Sequence, residues 1–70
     1  MDFSEKIAML RRQKNWSQEE LAEKLMVTRQ AVSKWENGSS DPSTSNLLAL
    51  ARLYGISAEE LLRQVQTETE

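Results

Sequence analysis

The 70-residue chain has no cysteine and no histidine, one proline, two glycines and four aromatic side chains. Without cysteine there is no disulfide and no thiolate chemistry. Without histidine there is no imidazole base, and the ordinary zinc and haem ligand sets are missing as well. A catalyst built from carboxylates alone remains conceivable, but no spacing among the acids singles out a pair. The expectation is a protein that is not an enzyme and holds no metal or cofactor. No apolar run approaches membrane-spanning length. The start, Met1-Asp2-Phe3-Ser4-Glu5-Lys6, lacks the basic-then-apolar layout of a signal peptide. Absent cysteine fits a reducing compartment, so a soluble cytoplasmic protein with no membrane association is expected. So short a chain can bury one core. One domain over residues 1–65 is expected, with a polar, disordered tail at 66–70.

Positive charge is also in short supply, since the net charge is −2. Its distribution is uneven. Residues 11–34 carry +3, from Arg11, Arg12, Lys14, Lys24, Arg29 and Lys34 against Glu19, Glu20 and Glu23; residues 35–70 carry −4. Local charge, more than the total, governs attraction to phosphate. A solvated helical surface has the same appearance, and charge alone does not separate the two.

Every strong local signal is helical. Phe3, Ile7 and Leu10 recur at helical spacing and predict a first helix over about 4–13. Ser17-Gln18-Glu19-Glu20 is a capping box, in which a serine hydroxyl and a glutamate carboxylate satisfy each other's backbone amides. Trp16 and Leu21 supply the hydrophobic staple around it, and Leu21, Ala22 and Leu25 form the buried face. A third helix is expected from a Thr28 cap through Ala31, Val32 and Trp35 to Asn37-Gly38. Only Met26-Val27 lies between the second helix and that cap, so the two helices must cross sharply. After the loop Gly38-Ser39-Ser40-Asp41-Pro42, Ser43 caps a fourth helix with Leu47, Leu50, Ala51 and Tyr54, closed by Gly55. Ile56-Ser57-Ala58-Glu59-Glu60-Leu61 repeats the staple and box and opens a short fifth helix through Leu62 and Val65. Leu61, Leu62 and Val65 either complete the core or leave an apolar face for a second copy.

On the third helix Arg29, Gln30, Ser33 and Lys34 lie off the apolar side. Arginine can donate two hydrogen bonds to guanine, glutamine can both donate to and accept from adenine, and serine adapts to either. The plain alternative is an ordinary solvated helix face. Gln18 at the amide end of the second helix, and Asn37, Ser39 and Ser40 after the third, add short polar groups suited to phosphate.

The run Trp16-Ser17-Gln18-Glu19-Glu20-Leu21-Ala22-Glu23-Lys24-Leu25, followed by Val27-Thr28-Arg29-Gln30-Ala31-Val32-Ser33-Lys34-Trp35-Glu36-Asn37-Gly38, resembles the Cro/phage-repressor type of helix-turn-helix domain. The likeness extends over about residues 4–63, through Pro42 and Leu47-Leu48-Ala49-Leu50-Ala51 to Ile56-Ser57 and Glu60-Leu61-Leu62. It implies an all-α, compact five-helix bundle of the lambda-repressor-like type, with helices two and three forming the helix-turn-helix. It further implies a homodimer on a palindromic double-stranded DNA operator with half-sites about one turn apart. By the resemblance, Arg29, Gln30 and Lys34 match base-reading positions with Ser33 beside them, and Gln18 and Asn37 match phosphate contacts. With the short polar groups at the same helix ends, the expectation is base contacts from Arg29, Gln30, Ser33 and Lys34 and backbone contacts from Gln18, Thr28, Asn37, Ser39 and Ser40. Arg11 and Glu36 match an ion pair tying helix one to the end of helix three, which at an exposed site would contribute about 0–1 kcal/mol.

Three features depart from that pattern. Met26 stands where the family usually has glycine, which implies strain of order 1 kcal/mol if the backbone there is left-handed. Asp41 lies in a loop where relatives often place a cation toward the minor groove. The overall acidity predicts weak non-specific binding and a shallow salt dependence. The function expected is transcriptional regulation, with repression by simple occupancy, since a chain of this length leaves no room for a ligand-sensing domain. The alternative is an antitoxin-like module that binds a protein partner through its acidic second half and regulates its own operon.

Overall fold

Five short polar side chains decide where the helices begin. Asp2, Ser17, Thr28, Ser43 and Ser57 each sit in extended backbone and accept a hydrogen bond from the amide three residues on. The computed structural model describes residues 2–63. Within them these caps open α1 (Phe3–Gln13), α2 (Gln18–Leu25), α3 (Arg29–Asn37), α4 (Thr44–Tyr54) and α5 (Ala58–Leu62). The box at Ser17 and Glu20 closes in both directions, at 3.0 and 2.8 Å. A second complete box, Asp2 with Glu5, starts α1 one residue earlier than the apolar spacing suggests. The Glu5 amide and, behind it, the Ser4 hydroxyl hold the Asp2 carboxyl below its ordinary range. At Ser57 only the forward bond from the Glu60 amide forms among the described residues. The fifth helix is brief: it ends at Leu62 with Arg63 extended, and Val65 and the tail at 66–70 lie outside the described residues.

Left-handed residues make the stops. Met26, Gly38 and Gly55 end α2, α3 and α4, and Asn15 follows the end of α1 at φ 62°. Gly38 and Gly55 adopt this conformation without a side-chain penalty, whereas Met26, 91% exposed, adopts it at φ 59°.

The apolar faces close on one core. Ile7, Leu21, Val32, Leu50 and Leu61 are fully buried, with Ala22, Trp35, Ala51 and Tyr54 around them. Burying each of the large aliphatic side chains contributes roughly 1.5–3 kcal/mol. Trp35 is thus a core residue, while Leu62 is 52% exposed, so the α5 leucines divide between core and surface. Helix α2 packs on α3 and α4, and α1 packs on α3 and α5. Lys6 ties α1 to α5: its Nζ donates to the carbonyls of Glu60 and Arg63 at 2.6 and 2.9 Å, where the C-terminal end of α5 favours a cation. Among the described residues the result is a compact five-helix bundle, with α2 and α3 as the helix-turn-helix.

Candidate nucleic-acid interface

Helix α3 turns Val32 and Trp35 into the core, and that rotation decides what faces outward. Arg29, Gln30 and Lys34 are exposed and Ser33 is half-buried. Gln30 and Lys34 are one turn apart, as are Arg29 and Ser33, so the four share the solvent side of the helix. The Thr28 hydroxyl accepts from the Ala31 amide at 3.1 Å, leaving its own proton free to be donated outward. No acid lies in the first turn of α3, in contrast to α1, α2 and α5. The positive end of its dipole is therefore not neutralised locally.

The far end of α3 carries a second set of donors. Asn37 Oδ1 accepts from the Ser39 amide at 2.9 Å, which points the amino side of that carboxamide away from the turn. Ser39 and Ser40 both donate their backbone amides to the Lys34 carbonyl, at 2.9 and 3.3 Å, and stay exposed with Asn37. Asp41 is exposed in the loop that follows.

At the start of α2, Gln18 is half-buried and its Nε2 donates to Glu36 Oε1 at 3.0 Å. Glu36 in turn accepts from Arg11, with Nε to Oε2 at 2.7 Å and Nη2 to Oε1 at 3.0 Å. Arg11 Nη1 reaches the Trp16 carbonyl at 2.8 Å. The structure therefore brings Arg11 and Glu36 together, but not at an exposed site: the side chains are 12% and 6% exposed. The energetic expectation for an exposed pair does not apply, because removing one partner of a partly buried pair leaves the other charge poorly solvated and unpaired. The hydrogen bond to Glu36, more than any other influence, raises the Arg11 pKa further.

Beside this network lies a layered stack that sequence reading missed. Lys24 Nζ sits 4.7 Å from the centre of the Trp16 ring, and Trp16 stacks on Tyr54 with centroids 5.9 Å apart. The Tyr54 hydroxyl is buried and has no hydrogen-bond partner among the described residues. Burial, with the Glu36 charge adding to it, pushes the Tyr54 pKa up to about 12. The bond between Gln18 and Glu36 was missed too, and no local pattern announces it. Among the described residues no helix is long and apolar enough to cross a membrane.

Comparison with known proteins places this geometry in context. A helix-turn-helix family model matches residues 7–61. The chain is 44% identical over 62 residues to the HTH-type transcriptional activator BcrR of Enterococcus faecalis, an alignment covering 89% of this chain and 30% of that protein. Its fold matches the P22 c2 repressor protein in complex with synthetic operator 9T at TM-score 0.84 and 30% identity, covering 90% of this chain and 96% of the other. It also matches FeII HppE in complex with substrate at TM-score 0.77 and 26% identity, covering 97% of this chain but 40% of the other. The chain spans 30 to 57% of the length of the first curated relatives it matches.

Proposed function

The chain belongs to the helix-turn-helix family of the Cro/phage-repressor type, and from that premise we propose that it binds double-stranded DNA sequence-specifically and regulates transcription by occupying an operator. The observation that carries the reading is the outward face of α3, where Arg29, Gln30, Ser33 and Lys34 share the solvent side of a helix whose first turn carries no acid. In this reading α3 lies in the major groove and these four side chains read base edges. Gln18, Thr28, Asn37, Ser39 and Ser40, at the ends of the two helices, hold the phosphate backbone and set the register. The match to a repressor bound to operator DNA supports the docking mode. FeII HppE carries a similar fold in part of its chain, and fold alone does not assign function; the side chains on α3 carry the assignment.

Two copies of the chain bind a palindromic site, with half-sites about one helical turn apart. Selection of bound duplexes from a random pool tests the proposal. The expected product is a two-fold symmetric sequence. Arg29→Ala and Gln30→Ala are then expected to relax preference at particular positions, each by roughly 1–3 kcal/mol of discrimination. Recovery of no preferred sequence sinks the proposal, and a uniform loss across all sequences removes the base-reading role of those two residues.

A further inference from the structure

Glu36, near the end of α3, is almost out of contact with solvent, yet three elements converge on its carboxylate. Arg11 comes from α1 with two nitrogens, at 2.7 and 3.0 Å, and is itself pinned by the Trp16 carbonyl of the connecting turn. Gln18 comes from the first position of α2, with Nε2 at 3.0 Å from Oε1. The pair with Arg11 accounts for a tie between helices. The bond to Gln18 has no such structural necessity, because α2 is already capped by Ser17 and Glu20 and stapled by Leu21.

We propose that Glu36 is a positioning residue that aims the Gln18 carboxamide at the DNA backbone, and that Arg11 acts through Glu36. The inference rests on the reading of the α2 start as a phosphate contact. An ionised carboxylate can only accept, so Glu36 admits only the amino side of the Gln18 amide and thereby fixes which way the group faces. One N–H is used; the second has no partner among the described residues. A phosphate oxygen also only accepts, so that second N–H is what Gln18 has to offer it. Because the rotamer is already settled, the side chain does not have to be ordered on binding, a saving equivalent to about two- to tenfold in affinity. Arg11 holds the carboxylate in place and cancels a negative charge that would otherwise stand beside the incoming phosphate.

The test is a double-mutant cycle read on a short fluorescein-labelled duplex of mixed sequence at low salt, with folding of each variant checked by circular dichroism. Gln18→Ala is expected to weaken binding about two- to tenfold in the parent chain. In a Glu36→Ala background the same change is expected to cost clearly less, because the amide must then be ordered on binding. Glu36→Gln keeps an acceptor for Gln18 while losing the charge, so it is expected to lower stability yet retain the dependence on Gln18. An unchanged Gln18→Ala effect in the Glu36→Ala background overturns the proposal. Failure of the parent chain to bind the duplex at all overturns the DNA-binding reading, and this inference with it. If Glu36→Ala does not fold, side-chain nitrogen relaxation on the parent chain decides. The Gln18 amide is expected to be as rigid as the backbone and that of exposed Gln13 mobile; a Gln18 amide as mobile as Gln13 overturns the proposal.

Discussion

Between α2 and α3 the backbone passes through Met26 at φ 59°, ψ 42°, then Val27, then the Thr28 cap at φ −83°, ψ 156°. Between α4 and α5 it passes through Gly55 at φ 73°, ψ 28°, then Ile56, then the Ser57 cap at φ −77°, ψ 156°. The hydrogen bonds agree as well: Val27 donates to buried Ala22 at 2.9 Å, and Ile56 to buried Ala51 at 3.0 Å. One corner is built twice, so corner geometry does not distinguish the half proposed to read DNA from the half that is not. The second helix of each corner differs. Helix α3 opens with Arg29 and Gln30 and no acid, while the five-residue α5 opens with Glu59 and Glu60, which would repel a phosphate. Function on this fold resides in the side chains that the corner presents.

The corners also differ in what clamps them, and the largest predicted effect breaks that difference. The first is held by the Arg11, Glu36 and Gln18 network, the second by Lys6 on the last carbonyls of α5. Glu36→Ala leaves the Arg11 guanidinium without its carboxylate and is expected to cost about 3 kcal/mol. Lys6→Ala removes a cation from a helix end and is expected to cost about 1 kcal/mol. Urea denaturation of the two variants measures both. Equal losses would mean that the partly buried pair is no more than an ordinary surface tie.

The residue before each left-handed cap separates the corners next: it is Leu25 in the first and Tyr54 in the second. Tyr54 has a folded pKa of about 12 against an unfolded value of 10.0. Below pH 10 the phenol is neutral in both states and its contribution is intact. From pH 10 to 12 only the unfolded chain ionises there, so stability falls, by about 2–3 kcal/mol at the upper end. Tyr54→Phe is expected to remove that alkaline loss and to raise stability near neutrality by about 1 kcal/mol, since a buried unpaired hydroxyl is deleted. The chain has one tyrosine, so its absorbance titration reports the group directly. A midpoint near 10 would contradict the burial argument.

Both corners were legible in the sequence because their instructions are local. A serine or threonine cap, an apolar residue before it and a partner amide three positions on all lie within one window, and the structure uses Ser17, Thr28, Ser43 and Ser57 as that spacing suggests. Asp2 with Glu5 obeys the same local rule, so the start of α1 at Phe3 is written in the sequence as plainly as the others. The remainder of the candidate site depends on contacts far apart in the chain. Gln18 meets Glu36 across 18 positions, and Lys6 meets Glu60 across 54, so both follow from how the helices pack. The burial of the ion pair belongs with them, because sequence supplies the two charges but not the walls around them.

The smallest effect is also the most direct comparison of the two corners, an exchange of their cap residues. Met26 is 91% exposed and a Cβ added at Gly55 would meet nothing within 4 Å. Neither site therefore adds a packing term, and each isolates the backbone penalty for a side chain in left-handed geometry. That penalty is about 1–2 kcal/mol, offset in part by the greater freedom of glycine in the unfolded chain. Met26→Gly is expected to stabilise by about 0.5–1 kcal/mol, a rise of a few degrees in melting temperature. Gly55→Met is expected to destabilise by a similar amount. The double exchange should then return close to the parent value, because separated sites add. A melting temperature that is unchanged or lower in Met26→Gly would mean that methionine in the first corner is held by something the second corner lacks.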